Sequence, residues 1–333
     1  MKASVLTKYG LPDFIELKEE EKPTPGDNEV LVEVRASSIN SWDWEILIGK
    51  PFVNRLMAGL LKPKRIKILG CDIAGRVEAV GKDVKQFRAG DEVFGDLSGC
   101  GWGGFAEYVC ARDNALSLKP AGMTFEQAAA IPQAGLLALQ SLLYNGKIQL
   151  NKINREKKIL INGAGGGAGS FAVQMAKSVG AEVTGVDSTE KLDIMHSLGA
   201  DHLIDYTQED FTKNGQCYDL IIDMAAHHSI FDYKRSLSSG GIFVMVGGST
   251  LRVNQLLLLG PFFSIIGSKK MGLLLHKANK GLDLMKELLE SGKVFPVIDK
   301  CYQLSEVAEA LRYFGEGHAK GKVVISVEHN DRT

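Results

Sequence analysis

A short apolar strand runs directly into a cluster of glycines between Lys157 and Gly169, in the order KKILINGAGGGAG. A helix is predicted to follow over residues 170–179. The free amides and the dipole at a helix N-terminus favour an anion, and only glycine lets the backbone approach a phosphate so closely. The run therefore predicts a site for a dinucleotide pyrophosphate, formed by Gly163, Gly166, Gly167, Ala168 and Gly169.

The residues after the glycines distinguish this site from a P-loop. A P-loop needs Lys and then Ser or Thr directly after its last glycine, whereas Ser170 and Phe171 follow Gly169. A second predicted strand, residues 182–186, leads to Asp187. An acid about 20 residues beyond the glycines is where the adenosine ribose is usually bound. The dinucleotide interpretation is therefore favoured.

Length and composition limit the classes of protein. A chain of 333 residues suits two domains. Its formal net charge is −1, with Lys and Arg scattered among Asp and Glu, so we expect no nucleic-acid partner. The five cysteines have no paired short spacing, which indicates neither a disulfide framework nor a zinc knuckle. The N-terminus lacks the apolar region of a signal peptide, and a cytoplasmic protein is predicted.

Apolar strands alternate with helical stretches between Lys158 and Gly247, which predicts parallel βαβ units. The first 120 residues instead have strands separated by Pro- and Gly-bearing turns, as in a mainly β domain. The predicted class is α/β, with a doubly wound parallel sheet beside a mainly β domain. The strands predicted for the parallel sheet are residues 159–162, 182–186, 202–204, 219–223 and 242–246, with a sixth near 264–267.

Residues 256–275 are the most membrane-like part of the sequence. A leucine-rich run, 256–266, is followed by Lys269, Lys270 and a second apolar run, 271–275. Each run is far shorter than the roughly 18 residues needed to span a bilayer. A buried strand and a subunit contact explain the first run best, which predicts a homodimer. The alternative is surface attachment to a membrane, or a wall for a hydrophobic substrate.

Three motifs accompany the glycine run in order: GRVEAVG at 75–81, AGDEVFG at 89–95 and GFAEYV at 104–109. Together with the three-residue spacing of the glycines, they resemble the medium-chain dehydrogenase/reductases, most closely the zinc-free, quinone oxidoreductase-like branch. The resemblance implies two domains. A GroES-like catalytic domain would be formed by residues 1–124 with 271–333, and a Rossmann dinucleotide-binding domain by residues 125–270.

Asp187 bears on the choice of nicotinamide cofactor. Its carboxylate can accept hydrogen bonds from the ribose hydroxyls, and it repels a 2′-phosphate by roughly 1 kcal/mol in water and by more where solvent is partly excluded. Ser188 and Lys191 follow, and in NADPH-using relatives a hydroxyl and a base in this loop bind the phosphate. The expected cofactor is NAD(P)H, with NADH slightly favoured over NADPH.

Two further segments lie at the carboxyl ends of predicted strands, where open α/β sheets bind their ligands. They contain Ala225 and the pair Gly247 and Gly248. Ordinary strand-to-helix turns also use Gly-Gly-Ser, so the residue types alone leave both interpretations open. The resemblance implies that these residues border the nicotinamide ribose.

The catalytic zinc of alcohol-oxidising members of this superfamily is held by two cysteines and a histidine, and this chain departs from that pattern. The matching positions carry Asn40, Cys71 and Gln133, and all seven histidines lie at or beyond His196. One thiolate and two amides are a poor ligand set for zinc, which prefers thiolates and imidazoles. No metal site is therefore predicted.

Without zinc, deprotonation of an alcohol is difficult, whereas reduction of an activated double bond needs less from the protein. Hydride added to an enone, an alkenal or a quinone leaves an enolate or phenolate that a few hydrogen-bond donors can stabilise. The resemblance points to Asn40 as the donor or orienting group and to Asp43 as the residue that holds its loop, in a cleft between domains. A turn-forming role explains the pair equally well.

The favoured function is thus a zinc-independent NAD(P)H-dependent quinone or enone reductase. Two alternatives stay open. One is a non-catalytic dinucleotide-binding redox sensor, and the other is a zinc-type alcohol dehydrogenase with relocated ligands.

Overall fold

The computed structural model describes residues 1–143 and 157–329. The strands within these residues are β1 (Lys2–Leu6), β2 (Ile15–Glu19), β3 (Glu29–Ile39), β4 (Asp72–Val80), β5 (Glu92–Asp96), β6 (Tyr108–Arg112), β7 (Ser117–Leu118), β8 (Lys158–Asn162), β9 (Glu182–Asp187), β10 (His202–Asp205), β11 (Tyr218–Asp223), β12 (Leu237–Met245), β13 (Lys270–Leu273), β14 (Ile298–Gln303) and β15 (Lys322–Ser326).

The α-helices of the same residues are α1 (Ser41–Ile48), α2 (Phe52–Ala58), α3 (Phe125–Ala129), α4 (Pro132–Leu142), α5 (Gly167–Ser178), α6 (Leu192–Ser197), α7 (Ile230–Ser236), α8 (Thr250–Ile266), α9 (Leu282–Glu290) and α10 (Val307–Gly315). Contacts between Cα atoms divide the chain into two compact units. Unit 1 comprises Met1–Gln133, Ala278–Lys286 and Pro296–Thr333, and unit 2 comprises Ala134–Lys277 and Glu287–Phe295.

Unit 2 contains a six-stranded parallel sheet in the order β10-β9-β8-β11-β12-β13. This is the doubly wound arrangement, in which the strand order reverses beside β8, and ligands bind at the carboxyl ends of the strands near that reversal. The first five strands of this sheet match the predicted stretches, with β12 ending one residue before the predicted end, so the predicted parallel βαβ fold is confirmed. Leu160, Ile161, Ile221 and Val244 are fully buried in these strands, as a sheet covered on both faces requires.

Two predicted strands of unit 2 are wrong, and one predicted helix begins earlier than expected. Residues 264–267 are not the sixth strand, because α8 continues through Ile266 and the strand follows at Lys270–Leu273. The leucine-rich run predicted to form a buried strand is therefore a helix, which a continuous apolar stretch cannot exclude and leucine favours. Helix α5 begins at Gly167 rather than residue 170, because Gly166 serves as its N-cap, a position that tolerates glycine.

Unit 1 is mainly β, as predicted. Its seven-stranded sheet pairs β14-β15-β3-β4-β5-β7, with β6 added to β3, and β1 pairs with β2 in a separate two-stranded sheet. Strand β3 is the longest and holds β15, β4 and β6 in antiparallel register. Its core side chains Val30, Val32 and Val34 are fully buried, so the residues at its end, Ile39 and Asn40, are held in fixed positions.

Within residues 1–143 and 157–329, none of the helices is both long enough and apolar enough to cross a bilayer.

Candidate functional site

The glycine loop after β8 has a conformation that two of its glycines make possible. Gly163 has a φ of +81°, in the left-handed region that favours glycine. A Cβ atom at Gly169 would lie 2.0 Å from the Gly163 carbonyl oxygen, which is far inside contact distance. Gly163 and Gly169 are therefore needed by the fold itself, whatever else they do.

Gly166 differs from its neighbours because the fold does not need it to be glycine. Its φ is −86°, and the nearest atom to an added Cβ would be the Gly163 carbonyl oxygen at 3.4 Å, an ordinary contact. It lies at the N-cap of α5, directly before Gly167, Ala168 and Gly169, whose amides form the first turn. A small residue here leaves room for an anion at the helix N-terminus, and the loop fits a pyrophosphate.

Asp187 ties this loop to the end of β9. Its Oδ2 accepts a hydrogen bond from the Gly165 amide at 2.9 Å, and its Oδ1 accepts one from the Ser188 amide at 2.9 Å. The Lys191 ammonium lies 3.7 Å from Oδ1. The structure thus brings Asp187, Ser188 and Lys191 together beside the glycines. The Asp187 carboxylate, which was predicted to bind the ribose, is paired with Lys191, which was predicted to bind a 2′-phosphate.

Asp223 organises the ends of the neighbouring strands. This buried carboxylate accepts hydrogen bonds from the Asn162 amide at 2.8 Å, the Ala225 backbone amide at 2.9 Å and the Tyr233 hydroxyl at 2.7 Å. It therefore links the ends of β8 and β11 and the start of the loop that carries Ala225. Burial raises the pKa of the Asp223 carboxyl, although these donors oppose the rise.

Gly247 and Gly248 lie in the adjacent loop after β12. The Gly247 carbonyl accepts a hydrogen bond from the Ala226 amide, and a Cβ at Gly247 would lie 2.5 Å from the Met224 carbonyl oxygen. At Gly248 an added Cβ would meet the Ala226 oxygen at 2.7 Å. The close approach of these two loops therefore accounts for both glycines, and their contact with a nicotinamide ribose stays a prediction.

In unit 1, the three residues at the positions matched to zinc ligands do come together. The Asn40 side-chain amide lies 3.3 Å from the Cys71 sulfur, and the Gln133 side-chain amide lies 3.4 Å from the same atom. Asn40 and Gln133 are almost fully buried and Cys71 is completely buried. The sulfur therefore accepts N–H groups from both sides.

Lys322, on β15, places a buried ammonium beside this cluster. Its Nζ donates to the Asn40 carboxamide oxygen and, at 3.0 Å, to the Ile39 carbonyl, and it lies 3.6 Å from Asp72 Oδ2. Since an ammonium only donates, the Asn40 oxygen must face it, and the Asn40 amide group then donates to Asp72 at 2.9 Å. Lys322 therefore fixes the orientation of the Asn40 side chain.

Burial is the largest cause of the pKa shifts of Asp72 and Cys71. It raises the pKa of Asp72, and the Lys322 ammonium partly offsets that rise. Burial likewise raises the pKa of the Cys71 thiol well above its ordinary value, and the neighbouring carboxylates add to the effect. Cys71 is therefore a neutral thiol at neutral pH rather than a thiolate.

Asp43 holds the loop that carries Asn40. Its carboxylate accepts a hydrogen bond from the Asn40 backbone amide at 2.8 Å and another from the Gly70 backbone amide at 2.7 Å. Burial raises its pKa to about 7, against the pull of these two amides. Asp43 therefore joins the start of α1 to the segment before Cys71.

The cluster does not fit a zinc ion. Cys71, Asp72 and Asp96 place possible ligand atoms within 4.8 Å of one another. However, Asp72 is already paired with Lys322, and the amides of Asn40 and Gln133 direct N–H groups at the Cys71 sulfur. A divalent cation would face an ammonium and two N–H donors, whereas zinc requires thiolate, imidazole or carboxylate ligands.

The role of Lys322 was not predicted from the sequence, and Asp223 was predicted only as the end of a strand, in the segment expected to border the nicotinamide ribose. Lys322 is separated from Asn40 by 282 residues, so no local pattern connects them. A single Lys at the start of the apolar stretch KVVIS was the available signal, because a charge that begins a buried strand needs a partner. Asp72 directly follows Cys71 in the sequence, but no role was predicted for it.

Comparison with known proteins agrees with both parts of this geometry. Residues 26–121 match the family described as alcohol dehydrogenase GroES-like domain, and residues 198–325 match the one described as zinc-binding dehydrogenase. The chain is 33% identical to the chloroplastic quinone-oxidoreductase QR1 of Triphysaria versicolor, over 91% of each chain. It is 32% identical to the 2-methylene-furan-3-one reductase of Solanum lycopersicum, covering 98% of this chain and 79% of that one.

A solved structure, the quinone oxidoreductase from Coxiella burnetii, superposes with a TM-score of 0.85 at 29% identity, covering 98% of this chain and 99% of that chain. A parallel sheet with a glycine loop, joined in one chain to a GroES-like β domain, defines a dinucleotide-dependent dehydrogenase or reductase. The chain belongs to the medium-chain dehydrogenase/reductase superfamily, as a quinone oxidoreductase-like member. The predicted family and fold class are thereby confirmed.

Proposed function

We propose that this protein is an NAD(P)H-dependent reductase that transfers hydride to a quinone or an α,β-unsaturated carbonyl compound without zinc. The observation that carries the proposal is the buried Lys322 ammonium. It supplies positive charge beside Asn40, Cys71 and Gln133, at the place where a zinc-dependent enzyme needs anionic ligands. The names of the relatives from Triphysaria versicolor and Solanum lycopersicum support the same two acceptor classes.

The reaction needs only positioning and electrostatic stabilisation from the protein. NAD(P)H, when bound, would supply the hydride. Addition of that hydride to the β-carbon of an enone would move the alkene electron pair into the bond between the α-carbon and the carbonyl carbon, and the carbonyl pair onto oxygen. A proton from water would then add to the α-carbon and complete the saturated product. Asn40 is proposed as an orienting group for the carbonyl end of the acceptor, and Asp43 as the residue that holds the Asn40 loop.

The pyrophosphate of the cofactor is proposed to bind at Gly163, Gly166, Gly167, Ala168 and Gly169. Its nicotinamide ribose is proposed to be bordered by Ala225, Gly247 and Gly248.

A panel of initial rates tests the proposed reaction. Purified protein is mixed with NADH or NADPH and with quinones, 2-alkenals, saturated aldehydes or no acceptor. Acceptor-dependent oxidation with quinones or alkenals, and none with saturated aldehydes, is the expected pattern. If none of the acceptors in the panel increases the oxidation of NADH or NADPH, a non-catalytic dinucleotide-binding protein would be favoured.

The proposed preference for NADH depends on Asp187. Replacing it by Ser removes a carboxylate that opposes a 2′-phosphate and frees Lys191, which lies 3.7 Å away, to bind one. We expect Asp187→Ser to shift the ratio of kcat/KM for NADPH over NADH by at least about tenfold, or about 1.4 kcal/mol. The ratio is the right measure because the variant also loses the hydrogen bond to Gly165, which affects both cofactors.

Glu190→Ser is the matched control for this change, because it removes the same charge from an exposed position three residues away. It should alter the ratio less than about twofold, since an exposed charge is screened by solvent. An unchanged ratio in Asp187→Ser would show that its carboxylate does not face the ribose. A wild type that already strongly prefers NADPH would show that Ser188 and Lys191 decide the preference.

The absence of zinc is a separate prediction. Because the amides and the ammonium around Cys71 oppose a cation, we expect the purified protein to contain far less than one zinc per chain and to keep its activity after dialysis against a strong chelator. Metal analysis and initial rates before and after dialysis check this. One zinc per chain, with activity that is lost on dialysis and restored by added zinc, would favour an alcohol dehydrogenase with relocated ligands.

A homodimer and a cytoplasmic location are proposed as well. Among the described residues β13 pairs with β12 on one side only, and α8 exposes Leu257, Leu258 and Ile265 next to that edge strand. An exposed strand edge and an exposed apolar helix face suit a symmetric contact. Sedimentation equilibrium of the purified chain measures its mass directly.

The free cysteines support the proposed cytoplasmic location, because the cytoplasm is a reducing compartment.

A further inference from the structure

The segment between Glu45 and Asp72 has a charge distribution unlike that of the chain as a whole. It contains six basic residues and no acidic one. Because the whole chain has a formal net charge of −1, the remaining residues together carry −7. The expectation that basic residues are scattered evenly among acidic ones is therefore wrong for this segment. Its basic residues are Lys50, Arg55, Lys62, Lys64, Arg65 and Lys67.

Helix α2, within this segment, has its apolar side chains on the outside. Its buried residues are Asn54 and Ala58, whereas Phe52 is 62% exposed and Val53, Leu56 and Met57 are exposed as well. The exposed apolar series continues beyond the helix with Leu60 and with Leu61, which is 89% exposed. This is the reverse of the usual arrangement, in which a helix directs its large apolar residues toward the core.

The contacts of the segment show that this arrangement is fixed. The Asn54 side-chain amide donates to Glu45 at 3.2 Å and to the Lys50 carbonyl at 3.0 Å. The Ala58 carbonyl accepts the backbone amides of Lys64 and Arg65, both at 2.9 Å. Asn54 therefore ties α2 to α1, Ala58 holds the turn that follows α2, and the large apolar residues of the segment are left to solvent.

The basic residues lie next to the exposed apolar ones. Lys62, Lys64, Arg65 and Lys67 are exposed, and Pro63 and Ile66 between them are buried. None of these four bases has an ion pair among the described contacts. A contiguous apolar surface bordered by basic residues without ion pairs is typical of a site that binds a membrane interface, where apolar side chains enter the acyl region and bases contact anionic headgroups.

We propose that this surface, formed by Phe52–Ala58 and residues 59–67, docks the protein on an anionic lipid bilayer. A protein partner fits less well, because lysine is depleted at the centre of protein interfaces. A side chain as exposed as Leu61 projects into solvent, and a fluid acyl layer accepts it without a shaped pocket. The attachment is peripheral and depends on salt, because part of it is electrostatic.

The test is cosedimentation of the full chain with vesicles. Vesicles of phosphatidylcholine alone are compared with vesicles that contain about 30% phosphatidylserine, at about 50 mM and about 500 mM salt. We expect the bound fraction to rise at least about fivefold with the anionic lipid and to fall to background at high salt. Equal binding to both vesicle types, or no binding to either, would overturn the proposal.

Two variants locate the docking surface. Leu60→Ser with Leu61→Ser removes apolar contact, and Lys62→Glu with Lys64→Glu reverses charge. Each pair should reduce binding to phosphatidylserine vesicles at least about fivefold. Because all four residues are exposed, we expect the changes to leave the fold intact, and an unchanged thermal unfolding midpoint checks this. Binding that both pairs leave unchanged would overturn the proposal.

Two matched control pairs test whether exposed charge or exposed apolar surface elsewhere on the protein binds vesicles equally well. Lys82→Glu with Lys85→Glu reverses two exposed charges outside the segment, and Leu17→Ser with Leu118→Ser removes two exposed apolar side chains outside both the segment and α8. Both control pairs should bind vesicles as the wild type does. A loss in either control pair as large as that in the matching pair of the segment would overturn the proposal.

Two further outcomes would assign the surface to a different partner. Binding to heparin with none to vesicles would favour a polyanion. A concentration-dependent dimer that the Leu60/Leu61 pair abolishes, without vesicle binding, would favour a second copy of the chain. Because none of these assays uses an acceptor, failure of the proposed reductase activity would leave their results unaffected.

Discussion

Gly166→Val is expected to weaken the binding of NADH and NADPH by at least about 100-fold, or about 2.7 kcal/mol, while the fold stays intact and loses only the about 1 kcal/mol that a poorer N-cap costs. The structure separates these two effects. A Cβ at Gly166 has ordinary contacts within the protein, so the fold accepts valine. The branched side chain would nevertheless fill the space at the N-terminus of α5 that a pyrophosphate needs. Isothermal titration calorimetry and thermal unfolding measure the two quantities.

Two comparison variants sharpen this result. Gly99→Val lies in an exposed loop with nothing within 4 Å of the added Cβ, and should change neither binding nor stability. Gly169→Val should destabilise the fold, because its Cβ would lie 2.0 Å from the Gly163 carbonyl oxygen. If Gly166→Val binds either dinucleotide as tightly as the wild type, the pyrophosphate does not lie at this loop.

Lys322→Met is expected to lower the free energy of unfolding by about 3–5 kcal/mol at pH 8, because it leaves the completely buried Asp72 carboxylate without its cation. Adding Asp72→Asn should recover much of that loss, since the pair of changes removes both charges. Lys82→Met is the matched control. It breaks an exposed pair with Asp27 and should cost at most about 1 kcal/mol. Urea unfolding of the wild type and the three variants gives these values.

The deficit of Lys322→Met should also depend on pH. Without the ammonium, the pKa of Asp72 in the folded state rises further above the unfolded value of about 3.9. An acid whose pKa is raised by folding costs stability above its unfolded pKa, so the deficit should shrink as the pH falls toward about 4. A deficit under about 1 kcal/mol at pH 8, or one that grows on acidification, would show that Lys322 does not neutralise Asp72.

The parts of the site that could be predicted from the sequence are those coded by neighbouring residues. The glycine run and the strand before it lie within 13 residues, and Asp187 follows at the end of the next strand. Their order alone predicts a strand, a tight turn and a helix N-terminus. The resemblance to a family then indicated the positions of Asn40, Cys71 and Gln133, which the fold brings together around one sulfur.

Lys322 could not be predicted in the same way, because its contacts with Asn40 and Asp72 depend on the pairing of β15 with β3. The error in α8 has a different cause. Continuous apolar sequence fits a buried strand and a helix equally well, and the exposure of Leu258 and Ile265 is a tertiary property. The outward apolar face of α2 also depends on tertiary contacts, here those of Asn54 and Ala58.

Hydride is proposed to reach an activated double bond without a metal ion, and isotope transfer in metal-free protein is the sharpest test of that step. Protein dialysed against a strong chelator is incubated with an enone and with NADH or NADPH that carries deuterium at both C4 positions. We expect NMR spectroscopy to find one deuterium at the β-carbon of the saturated ketone. Deuterium at the carbonyl carbon of an alcohol, or turnover only after zinc is added, would contradict it.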